Sequence, residues 1–87
     1  EDSVCAGAIA EKLLTSDTLS TICDSTIAAV DLWSIAKSDL SGYIDKAAQR
    51  SRLRDKNLDD CIEFCLTLDI TDKIPCIKNG VLVDNLL

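Results

Sequence analysis

Apolar residues recur at helical spacing along most of this chain. Val4, Cys5, Ala8, Ile9 and Leu13 fall on one face of a helix that Ser3 can cap. Thr15, Ser16 and Asp17 read as a break and a new cap. Leu19, Ile22, Cys23, Ile27 and Val30 follow in register as a second helix, which runs through Trp33 toward Lys37 or bends near Asp31. Ser38 and Asp39 mark a further start, with Leu40, Tyr43, Ile44, Ala47 and Ala48 behind it. A fourth helix opens at Asp55 or Asn57 and turns Leu58, Cys61, Ile62, Cys65 and Leu66 inward.

From Ile70 onward two signals compete. Asn79-Gly80, between Ile74–Ile77 and Val81–Val83, suits a hairpin turn. A short helix from Asp72, with Pro75 in its first turn and Gly80 as its stop, fits the same residues. A lone two-stranded hairpin is marginal in water, so the helix is the expectation. The whole pattern predicts an all-α fold: four to five short helices in one domain, residues 1–87.

Composition adds a question of stability. Twelve Leu, nine Ile, eight Ala and four Val stand against one Trp, one Tyr and one Phe, which suits helix packing and supplies few aromatic binding platforms. A chain of 87 residues buries only about 60–65% of its unfolded surface. Five cysteines in that length point to disulfide staples and an oxidising compartment. Residues four apart in a helix hold their Cβ atoms about 5–6 Å apart, whereas a disulfide wants about 3.5–4.5 Å. Cys61 and Cys65 are therefore expected to reach separate partners. The expected set of two intrachain bridges uses Cys23, Cys61, Cys65 and Cys76. Cys5, near the terminus, is left as the unpaired thiol, available for a disulfide-linked dimer. Glu1-Asp2-Ser3 lacks the pattern of a signal peptide, so the expected form is a secreted protein whose leader is gone. A zinc site is not expected, because only one close cysteine pair exists and histidine is absent.

Charge is uneven. Net charge is −6, yet residues 45–56 carry five basic side chains against two acidic ones. Lys46, Arg50 and Arg54 recur every fourth residue and form a basic stripe on one helix face. Such a stripe suits a membrane surface or an acidic protein partner. Trp33, where exposed, would anchor a partner. Nucleic acid is excluded as a partner by the acidic remainder and the lack of aromatics to stack on bases.

Catalysis lacks obvious material. Without histidine there is no ordinary general base near neutral pH. Gly7, Gly42 and Gly80 stand alone, so no phosphate-cradling glycine loop is present. No cofactor is implied. The expectation is a small secreted non-catalytic effector (a toxin subunit, signal or inhibitor) that binds a protein or a membrane. The alternative is a carrier holding an apolar small molecule between helices, against Ile22, Ile27, Val30, Trp33, Leu40 and Ile44.

Overall fold

A computed structural model describes residues 1–85. Two long helices form its base: α1, Asp2–Leu14, and α2, Asp24–Ala36. They pack against each other at close range through Gly7. A methyl group placed on Gly7 would lie 2.6 Å from the Ala29 carbonyl carbon and 2.9 Å from the Trp33 Cβ. Only glycine permits that approach. Val4, Trp33 and Ala36 are buried where the helices meet, and Ile44 joins them from the next element.

Three short helices follow. α3 covers Leu40–Ile44, and the Asp39 carboxylate caps it by accepting the Gly42 N–H at 3.1 Å. Asp45 and Ala47 interrupt the run predicted to continue from Leu40 to Ala48, and Ala47 is extended. α4 then covers Ala48–Asp55. A 3-10 turn at Asp59–Cys61 leads into the single turn of α5, Ile62–Cys65. The tail is a hairpin, β1 at Pro75–Lys78 and β2 at Val81–Asp84, paired antiparallel with Ile77 opposite Leu82.

Three expectations are corrected. The fold is not all-α: Asn79 and Gly80 take φ of 52° and 76°, and these two left-handed residues make the turn that twists a hairpin closed. Asp84 supports the hairpin base, accepting the Ile74 N–H at 3.1 Å and pairing with Lys73 at 3.0 Å. The second helix begins at Asp24 and not near Asp17, leaving Leu19 and Ile22 exposed in an extended connection.

The disulfide clamp is the third. All five cysteines are free thiols. Cys23 sits at the N-terminus of α2, Cys76 lies on β1, Cys61 precedes α5 and Cys65 is its last residue. Cys23, Cys76 and the Cys61–Cys65 pair thus lie in three separate parts of the fold, with no two sulfurs bonded. The oxidising compartment was inferred from those bridges and loses that support. Among the described residues no helix is long and apolar enough to cross a membrane.

Candidate functional site

A cavity of about 420 Å³ opens where the start of α1 meets α4 and α5. Its wall is mostly aliphatic, with Ile44, Leu53, Ile62 and Leu66, and three thiols, Cys5, Cys61 and Cys65, face it. Glu1, Asp2, Gln49 and Arg50 supply its polar groups. Of the six residues expected to line a cavity, Ile44 alone borders this one. Trp33 and Leu40 border a smaller neighbour of about 180 Å³, again with Ile44.

Arg50 is the distinctive group. Only 11% of its side chain is exposed, although it carries a full charge. Its guanidinium donates to the Asp59 carboxylate, and its Nε lies 3.5 Å from Asp45. Arg54, one turn along α4, pairs with Asp45 and lies 3.5 Å from Asp59. Two arginines and two aspartates thus alternate in a closed group that ties Asp45, α4 and the 3-10 turn together. Opposite charges at these distances cancel most of the stripe's field. Yet the buried Nε of Arg50 lacks a hydrogen-bond partner among the described residues. Buried N–H groups are rarely left so; the nearest acceptor to this one is the Asp45 carboxylate, 3.5 Å away.

The other residues singled out by sequence lie apart from this group. Lys46 sits over the Tyr43 ring at 3.9 Å, a cation–π contact that holds its charge at the surface. Trp33 is 9% exposed and is a core residue whose Nε1–H donates to the Glu11 carboxylate at 2.6 Å. That bond and the nearby Lys37 ammonium hold the Glu11 carboxyl below its ordinary range. Among the thiols, Cys23 stands out. Hydrogen bonding from Ser25 first, and from Thr26 next, lowers it to about 7. Cys61 moves upward, by loss of hydration and then by the neighbouring Cys65. Among the described residues no three carboxylate or thiol side chains converge closely enough to hold a metal ion.

Sequence reasoning missed Asp45 and Asp59, the groups that neutralise the stripe. Asp45 was not readable from spacing, because residues five apart do not face each other on a helix and its approach depends on the break at Ala47. Asp59 was not either, because its approach depends on the turn after α4. Glu1 and Asp2 at the cavity were missed because the N-terminus offers only a helix start and no leader pattern, and neither signal shows that α4 and α5 fold against it.

Residues 1–80 match the family model of 2-phosphosulpholactate phosphatase. The chain belongs to that family. A curated relative, the "Probable 2-phosphosulfolactate phosphatase" of Cyanothece sp. (strain PCC 7425 / ATCC 29141), is 39% identical over 88 residues, covering 95% of this chain and 36% of the relative. The chain therefore spans about a third of the length of the curated relative that it matches. No solved structure matches it.

Family membership overturns the expectation of a non-catalytic effector or carrier, and with it the toxin reading. The error has a physical source. Absence of histidine does not amount to absence of catalysis: histidine is only one of several side chains that move protons, and a chain spanning a third of a relative need not hold every catalytic group.

Proposed function

We propose that this chain serves in the hydrolysis of a small, highly anionic phosphate monoester, the class to which 2-phosphosulfolactate belongs. The observation that carries the reading is the family match over residues 1–80. In this reaction the oxygen of water bonds to phosphorus and the P–O ester bond breaks. The ester oxygen leaves with a proton as the alcohol, and inorganic phosphate is released.

Electrostatics supports a role for Arg50 in that chemistry. A substrate bearing phosphate, sulfonate and carboxylate is repelled by a chain of net charge −6 unless local positive charge receives it. Residues 45–56 are the net basic stretch, and within it Arg50 borders the cavity; its charge is shared with Asp59 and Asp45, so a phosphate would have to compete with those carboxylates for it. A guanidinium suits phosphate and sulfonate oxygens because its N–H groups form a planar fork. Asp59 holds that fork in place before substrate arrives, so less ordering remains on binding.

The test is release of inorganic phosphate from 2-phosphosulfolactate by the protein purified from its source cells, with the Cyanothece relative run alongside. Turnover by both supports the reading. Turnover by the relative alone overturns it. Hydrogen bonds to charged groups contribute about 1.5–3 kcal/mol, so Arg50→Ala should lower kcat/KM by about 10- to 100-fold. Arg50→Lys should recover only part of that loss. Full activity in both variants removes Arg50 from the site.

A further inference from the structure

The hairpin carries apolar residues on both faces, with Lys78 at the turn end of one and Asp84, opposite Pro75, at the base of the other. Cys76 pairs with Val83, and Lys78 with Val81, across one face; Ile77 pairs with Leu82 across the other. The first face is partly covered at Cys76, while Ile77 and Leu82 remain 77% and 72% exposed. A half-solvated antiparallel hairpin alternates apolar with polar residues; strands apolar on both sides belong to sheets covered on both sides. Ile74, at the base of the hairpin, adds further exposed apolar surface.

The hairpin's closest packing is with itself. Its two strands contact each other extensively, and neither contacts a helix to a comparable extent among the described residues. Such a hairpin is marginal in water without a third strand or a covering layer. The strand edges are also open. Proline in a sheet is found with its missing N–H toward the outer edge, so Pro75 blunts the free edge of β1. The free edge of β2, Val81–Asp84, carries no proline and offers an unbroken row of backbone groups.

What would cover this surface is indicated by length. The aligned 88 residues are 36% of the Cyanothece relative, so nearly two-thirds of that protein lies outside the matched stretch. We propose that the free edge of β2 accepts a strand from polypeptide homologous to those remaining two-thirds, and that apolar side chains of that polypeptide seat on Ile77 and Leu82. The hairpin is then the margin of a larger, covered sheet. This inference rests on family membership and on the hairpin's surface, not on the phosphatase reading.

Amide hydrogen exchange tests it in three proteins: the 87-residue chain, the unaltered Cyanothece relative, and a chimera in which this chain replaces the matched stretch of the relative. Val81–Asp84 should exchange about a hundredfold more slowly in the chimera than in the chain alone, and the matching hairpin of the relative should be equally slow. Ile77→Asp with Leu82→Asp should abolish that protection in the chimera while leaving the helical circular dichroism of the isolated chain unchanged. Equally fast exchange in the isolated chain and the unaltered relative overturns the proposal, whether or not the chimera folds. An isolated chain that sediments as a dimer and already protects its hairpin assigns the surface to a second copy, and also overturns it. Exchange is read without substrate, so a protected hairpin in a chimera that releases no phosphate sinks only the phosphatase reading.

Discussion

Replacing Gly7 by alanine should destabilise the chain by prying its two long helices apart. The added Cβ would sit 2.6 Å from the Ala29 carbonyl carbon and 2.9 Å from the Trp33 Cβ. Carbon atoms in contact prefer about 3.5–4.0 Å, so α1 must withdraw by about 1 Å. The obstacle on the Ala29 side is backbone, which cannot rotate away as a long side chain would. Overpacking of this kind costs typically about 1–3 kcal/mol, and the rigid obstacle argues for the upper part of that range. Alanine for glycine inside a helix returns about 1 kcal/mol through propensity. The net expectation is a loss of about 2 kcal/mol, which in a domain of this size lowers Tm by roughly 10 °C. Urea denaturation followed by circular dichroism at the helix band and by Trp33 fluorescence measures it. Val4, Trp33 and Ala36 are buried at this contact, so the Trp33 signal should also shift in the native baseline. A Gly7→Ala protein as stable as the parent, or stabilised by the propensity gain, would refute the close packing of α1 on α2.

Two further outcomes follow from titratable groups. The Glu11 carboxyl is held below its ordinary value of 4.5 by Trp33 and Lys37, so the stability it contributes is complete above that value and is lost as pH falls through the lower folded value. Urea midpoints at pH 6 and pH 3 should therefore diverge less in Glu11→Gln than in the parent; an unchanged divergence removes Glu11 from the acid response. Cys23, lowered to about 7 by Ser25 and Thr26, should react first with iodoacetamide at pH 7, with an inflection in rate near that pH that moves upward in Ser25→Ala. Uniform labelling of the five thiols, or slowest labelling at Cys23, would count against the hydrogen bonds drawn to its sulfur.

The first helix was legible from periodicity, and the later ones only in part. Val4 and Ala8 on α1 fall on the covered face where the pattern put them, but Ile9 and Leu13 do not, and α2 buries Ala29, Trp33 and Ala36 while Leu19, Ile22 and Ile27 of the expected face stay exposed. Asp39 was legible as a start signal and does cap α3. The Asn79-Gly80 turn was legible too, yet the helix was preferred on the ground that a lone hairpin is unstable. That ground assumes the hairpin must stand alone, and Ile77 and Leu82 show a surface poorly suited to standing alone. The cysteines misled for a different reason. Their number argued for bridges, but distance decides bridging, and distance depends on where each element ends. Cys61 belongs to a 3-10 turn and Cys65 closes a single helical turn, neither of which spacing alone distinguishes from one continuous helix. Arg50 was read as part of a surface stripe. Its burial and its pairing with Asp59 arise only after α4 ends and the chain doubles back.

The pairing of α1 with α2, and of β1 with β2, also bears on how quickly order can form. Each partnership joins neighbours along the chain: nine residues separate the two helices, and two separate the strands. Short loops lose little entropy on closing, and topologies dominated by such local contacts fold rapidly. The helical pair and the hairpin can thus each assemble as soon as their own residues are available. A ribosome extruding this chain would release the α1–α2 unit ready to close before the strands had been synthesised.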